Sequence, residues 1–217
     1  MVTSSVAFSE GTVLQFAATG SLPSGISAGT DYYVTDVAFP TFKLLTAGGA
    51  AVNSGTTGSD VYISNIVDAP IMQNYLMVSD ASRFVFAFGV NDYGSVVQNP
   101  MLLRWSDQES VTQWTPNATN QAGSILLSHG SKIVTALQTR QEIVVFTDSS
   151  LYSLQYQGPP VIWSSQLLGD NISIVSENAA AIGSGVIYWM GVDKFYMYDG
   201  RVQTLNCDLL KEVLQEL

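Results

Sequence analysis

Short apolar runs separated by Gly, Asn, Asp and Pro mark this chain from end to end. In VLQFAAT (13–19), DYYVTDVAF (31–39), TFKLLTA (41–47) and VYISNIV (61–67), β-branched and aromatic residues cluster and often alternate with polar ones, the period of a half-buried strand. The intervening GSLPSG, AGT and GGAAVNSGTTGSD are loops by composition. These runs predict a small all-β module over residues 1–67. The next stretch, DAPIMQNYLMVSDAS (68–82), is less periodic and reads as a connector, extended or holding a short helix.

From residue 83 the strand signals come closer together. RFVFAFGV (83–90), MLLRWSD (101–107), SILLSHG (124–130), KIVTALQTR (132–140), EIVVFTD (142–148), SLYSLQYQ (150–157), VIWSSQLL (161–168), VIYWMGV (186–192), KFYMYDG (194–200) and RVQTLNC (201–207) are all strand candidates. Only DLLKEVLQEL (208–217) has helical spacing, with Asp208 as cap and Leu209, Val213 and Leu217 on one face.

The run IVVFTDSSLYSLQ, shifted by 44 positions, falls on IYWMGVDKFYMYD: Ile143 meets Ile187, Leu151 meets Phe195, Tyr152 meets Tyr196 and Leu154 meets Tyr198. Trp105-Ser106-Asp107 reads as an earlier, weaker copy of Phe146-Thr147-Asp148. A period of about 40–45 residues with several strands inside it is that of β-propeller blades. Residues 83–207 therefore predict a partial propeller of about three blades, followed by the C-terminal helix. In this reading Asp107, Asp148, Asp193 and Asp199 are turn residues, because an Asp side chain bonds its own backbone two residues on. Trp105, Phe146, Tyr152, Trp189, Phe195, Tyr196 and Tyr198 are blade-packing rings. An arc that does not close leaves sheet faces exposed and predicts partners.

Composition narrows the function. Of 217 residues 47% are hydrophobic and 12% charged, and the formal charge is −10 with eight Lys and Arg in all. Gripping a phosphate backbone takes clustered cations, so nucleic-acid binding is not expected, although DNA sliding past an acidic wall is compatible with it. Arg83, Arg104, Lys132, Arg140, Lys194 and Arg201 are spread along the strands and read as solvated rims or partners of acidic neighbours. The single Cys207 excludes an internal disulfide and reads as a small buried side chain. The longest apolar stretch, 179–192, is broken by Gly and Ser and is shorter than a bilayer span, so membrane insertion is not expected.

Chemistry is sparse. GISAG (25–29) fits the nucleophile-elbow pattern around Ser27, but a strand-like segment follows where the elbow needs a helix. His129, the only histidine, lies in the other module. Asp107, Glu109, Asp148, Asp170, Asp193 and Asp199 are the carboxylates a propeller glycosidase would draw on; Asp107, Asp148 and Asp193 recur at similar places in successive repeats, which points to turns instead. No ligand cluster at zinc or calcium spacing appears, so neither cofactor nor metal is expected. The small β module together with Tyr32, Tyr33 and Trp163, read as exposed rings, motivates an alternative role in recognising carbohydrate or a receptor at the host surface.

The ordered run from RFVFAFGVND through LLRWSDQESVTQWTPNATNQAG and LSHGSKIVTALQTRQEIVVFTDSSLYSLQYQGPP to VIYWMGVDKFYMYDGRVQTL resembles virion structural proteins of tailed bacteriophages, specifically the propeller part of tail nozzle or tail-tube proteins of short-tailed phages. The segment TGSLPSGISAGTDYYVTD with TFKLLTAGGAAV resembles a small β-sandwich module, Ig-like in type, inserted in many phage tail proteins. The resemblance implies a non-enzymatic, ring-forming homo-oligomer of the virion, assembled in the host cytoplasm. It implies contacts with other tail and connector proteins and a conduit through which DNA is ejected. Nozzle proteins are several times larger than this chain, which leaves its own oligomeric state open. The family has no catalytic motif to carry over.

Overall fold

The computed structural model of the chain describes residues 1–4, 7–64, 66 and 68–205. The helix expected at 208–217 and Cys207 lie outside them. The described residues hold strands and no helix, in four antiparallel sheets. They form two compact units, Met1–Ala69 and Pro70–Leu217.

The first unit holds β1 (Val2–Thr3), β2 (Val13–Ser21), β3 (Tyr32–Ala38), β4 (Thr41–Thr46) and β5 (Ser59–Ser64), in the order β1-β4-β3-β2-β5. Alternation decides its core. Leu14 and Phe16, Tyr32 and Val34, and Phe42 and Leu44 sit two apart on three neighbouring strands and bury together, because every second side chain points to the same face. Phe8, Leu22, Ile26 and Val52 from the connecting segments pack over that face. Phe16 meets Tyr32 edge to face, as Phe8 meets Phe42, with ring centroids 5.7 and 5.6 Å apart.

The second unit is three four-stranded meanders in succession, each strand bonded to its neighbour in sequence. The first sheet is β6 (Tyr75–Ser79), β7 (Phe84–Phe88), β8 (Leu102–Trp105) and β9 (Gly123–Leu126). The second is β10 (Ile133–Gln138), β11 (Ile143–Thr147), β12 (Ser150–Gly158) and β13 (Ile162–Asp170). The third is β14 (Ala180–Gly183), β15 (Val186–Met190), β16 (Phe195–Tyr198) and β17 (Val202–Leu205).

The sheets stack face to face through the pleat of the middle one. Ile143 and Val145 of β11 and Tyr152 and Leu154 of β12 pack against Phe84, Phe86, Phe88, Leu103 and Trp105 of the first sheet. The alternate residues Val144, Phe146 and Leu151 pack against Ile187, Trp189, Tyr196 and Tyr198 of the third. A strand buried on both faces reads as an unbroken apolar run, and IVVFT is one.

Three strands were hidden in the sequence: β1, only two residues long, and two in the second unit. Part of the expected connector 68–82 is β6, the first strand of the first sheet. Its outward residues Leu76 and Val78 are as apolar as its inward Tyr75 and Met77, so alternation shows no polar phase. β14 is Ala-Ala-Ile-Gly, poor in strand formers; it is held by its hairpin to β15, where Ser184 and Gly185 both take positive φ, 52° and 84°, the geometry of a two-residue type I′ turn.

The 44-residue shift places second strand on second and third on third, with the same pairing: Ile143–Leu154 becomes Ile187–Tyr198, and Val145–Tyr152 becomes Trp189–Tyr196. The earlier copy is out of phase. Trp105 lies on β8, a third strand, whereas Phe146 lies on β11, a second strand; Trp105 pairs with Phe86 on the face turned to the next sheet, the face that Val144, Phe146 and Leu151 form on the second sheet. The long 106–122 connection inside the first sheet stretches its repeat and hides the true alignment.

Candidate functional site

All four aspartates read as turn residues lie between strands, but not at equivalent turns. Asp148 and Asp193 join the second and third strands of their sheets, whereas Asp107 and Asp199 join the third and fourth. Asp107 Oδ1 accepts the N–H groups of Gln108 at 2.9 Å and Gln121 at 2.8 Å, closing the long loop on itself. Asp199 accepts the N–H of Arg201 and the amide of Gln203, both at 3.3 Å.

Asp148 reaches into the connection between sheets. Its Oδ1 accepts the Ser131 N–H at 2.7 Å, and its Oδ2 accepts the Ser131 hydroxyl. Partial burial pushes the carboxyl up, but the bonds from Ser131 and the Lys132 N–H outweigh it and hold the carboxyl below its ordinary range. Burial, then the adjacent Asp193, raise the Tyr196 hydroxyl.

The rings expected to pack between blades divide. Trp105, Phe146, Tyr152, Trp189, Tyr196 and Tyr198 are buried, and Phe195 is half-buried on the other face of β16. Phe146 and Trp189 meet edge to face across the second and third sheets, centroids 5.3 Å apart, and Trp189 stacks on Tyr196 at 5.2 Å. Tyr32 and Trp163, expected at the surface, are core residues at 3% and 5% exposure. Trp163 is edge-on to Phe86 at 4.9 Å. Tyr32 shares the inward phase of its strand with Val34, Trp163 is held edge-on by Phe84 and Phe86 of the first sheet, and the ring area of both favours burial. This removes two of the three rings that suggested carbohydrate binding; Tyr33 is half-buried.

Residues with catalytic potential are committed elsewhere. The Ser27 N–H donates to the Tyr32 hydroxyl at 2.8 Å, and GISAG is a pair of turns with no helix after it. In the other unit, the His129 N–H donates to the Tyr152 hydroxyl at 2.7 Å, with Nδ1 3.1 Å from the same oxygen. Glu109 pairs with Arg83. The Ser150 hydroxyl donates to Asp170 at 2.7 Å and, with the Asn171 N–H, lowers its carboxyl. Among the described residues no group of three or more His, Cys, Asp or Glu is placed to hold a metal ion.

Two polar features escaped the sequence reading. Glu142, just before β11, accepts the Tyr198 hydroxyl at 2.7 Å on one oxygen and the Ser153 hydroxyl on the other. It therefore ties the second sheet to the third, and burial followed by this carboxylate raises the Tyr198 hydroxyl. Arg104, expected on a solvated rim, is fully buried on β8, with its guanidinium 3.9 Å from the centre of the Tyr93 ring and bonded to the Asn91 carbonyl at 3.3 Å. Its alternation with Leu103 and Trp105 marked it as facing away from them; that this face is covered follows from the 89–101 connection, which the sequence does not place.

Among the described residues two hollows have largely apolar walls. In the first unit a cavity of about 910 Å³ is walled by Phe16, Leu44, Val52 and Ile63. The Asp36–Lys43 ion pair, 2.7 Å long, lines it as well, and this contact raises the Lys43 ammonium. In the second unit an open hollow of about 650 Å³ lies on the third sheet, lined by Ala181, Tyr188, Met190, Phe195 and Leu205 among others. Comparison with protein-family models and with curated proteins gives no match for this chain.

Proposed function

We propose that this chain is a non-enzymatic structural component of a bacteriophage tail, part of the nozzle or tail tube that conducts DNA during ejection. In this reading the second unit is an arc of three β-propeller blades and the first an Ig-like β-sandwich module. The observation that carries it is the succession of three four-stranded meanders stacked face to face, two of them in the same register under a 44-residue shift. This is how propeller blades bury faces that one blade cannot cover alone, and the motifs resembling nozzle proteins fall along these strands.

Two further features support a role in shape rather than chemistry. The candidate carboxylates are each engaged in a turn or tie of their own. The chain's charge of −10 suits a wall that DNA passes without adhering. Its partners are then other tail and connector proteins, in the virion and in the host cytoplasm during assembly. Antibody labelling of phage particles under negative stain tests the reading: label on the tail is expected, and particles whose tails carry none overturn it.

A further inference from the structure

The outer face of the third sheet has a covered counterpart within the same chain. The 44-residue shift superposes Phe146–Leu151 on Met190–Phe195 and Val144–Ser153 on Tyr188–Met197. In the second sheet Val144, Phe146 and Leu151 are packed under the third and are at most 1% exposed. On the third sheet the described residues leave Tyr188 42% exposed and Met190, Phe195 and Met197 half-buried. These side chains point away from the second sheet, by the pleat.

The chain leaves the third sheet on this same face. Leu205, the last residue of β17, pairs with Phe195, which pairs in turn with Met190. Directly paired residues share a face, and all three line the open hollow of about 650 Å³. Residues 206–217 follow at once and lie outside the described ones, but their sequence argues a place for them. Leu209, Leu210, Val213, Leu214 and Leu217 recur at the spacing of one helix face, while Asp208, Lys211, Glu212, Gln215 and Glu216 fall on the other. So short a helix is marginal in water and depends on burying its apolar stripe. The dimensions agree: ten helical residues rise about 15 Å, and four strands are about 14 Å across. The three steps from Leu205 to Asp208 reach about 10 Å, the spacing of packed layers. Strands β14–β17 contain no Asp, Glu, Lys or Arg, so a leucine stripe would strand no charge there, and Met190 and Met197 adapt to a facing surface.

We propose that residues 208–217 of this chain dock as an amphipathic helix on the outer face of its own third sheet, the leucine stripe packing on Tyr188, Met190, Phe195 and Met197. The segment then caps the stack with a charged outer surface, as a polar-faced terminal repeat caps a solenoid. The inference rests on the register of the sheets and the spacing of the segment, and is independent of a role in the tail.

Amide hydrogen exchange of the full chain reads this directly. Residues 210–217 are expected to exchange at least about tenfold more slowly than an unfolded peptide, equally at about 1 µM and about 100 µM chain. Tyr188→Glu, on the face itself, is expected to speed that exchange about fivefold or more by placing a charge under the stripe, and Leu76→Glu, on the first sheet, to leave it unchanged. In the converse experiment, Leu214→Glu is expected to speed peroxide oxidation of Met190 and Met197 but not of Met72, which is 43% exposed. Exchange at the unfolded rate overturns the proposal, as does exchange indifferent to Tyr188→Glu or sped equally by Leu76→Glu. Protection that appears only at the higher concentration overturns it too and gives the face to a second copy. Oxidation of Met190 and Met197 that Leu214→Glu leaves unchanged would likewise overturn it.

Discussion

At Gly123 the backbone of β9 passes so close under the Trp105 indole that a Cβ built there would stand 2.5 Å from the ring. The indole is held on both sides: its N–H donates to the Gln121 carbonyl at 2.7 Å, and its ring lies in the core between the first and second sheets. It cannot retreat cheaply, so Gly123→Ala is expected to cost about 1–3 kcal/mol by overpacking, read as a lower urea midpoint. Tyr198→Phe deletes a hydroxyl bonded to the Glu142 carboxylate and is expected to cost about 1.5–3 kcal/mol; Glu142→Gln, which keeps an acceptor, is expected to cost less.

Asp148 supplies the pH dependence at this scale. Its carboxyl titrates lower in the folded chain than when unfolded, so its contribution is present above the unfolded value near 4 and is lost as pH falls through the folded one. Asp148→Asn is expected to destabilise by roughly 1 kcal/mol at neutral pH, through weakened bonds to Ser131 at a partly screened site. Urea titrations from neutral to acid pH should show the gap between variant and parent close below about pH 4. A gap constant with pH would mean that the charge on Asp148 does not matter.

At the scale of the element, strands were legible where alternation or a dense apolar run marked them. The fourteen segments read as strands in the sequence all contain one, because β-branched and aromatic residues crowd them. β6 escaped because both its faces are apolar, and β14 because hairpin geometry rather than side-chain preference holds Ala180–Gly183 in place. The four aspartates fall between strands, but between which was not legible, since Asp107 and Asp148 sit in like-sounding words after different strands. Contacts between sheets were beyond reach: nothing in the sequence joins Glu142 to Tyr198 or buries Arg104. Phe146 and Trp189 carry the packing between the second and third sheets. Trp189→Ala is expected to cost about 3–5 kcal/mol and to loosen the third sheet first, seen as faster amide exchange in β15 and β16 than in β11.

At the scale of the molecule, the second unit is a one-dimensional stack in which each sheet is completed by the next. In the proposed reading, an acidic chain whose aspartates lie between strands and whose aromatics fill the spaces between sheets holds a shape among neighbours. The central claim is that those neighbours are the proteins of a phage tail. Quantitative peptide analysis of purified particles, with tails separated from heads, tests it most directly. The account predicts peptides from residues 83–205 in the tail fraction at a fixed ratio to the other tail proteins; their presence in the infected-cell lysate but not in tails would contradict it.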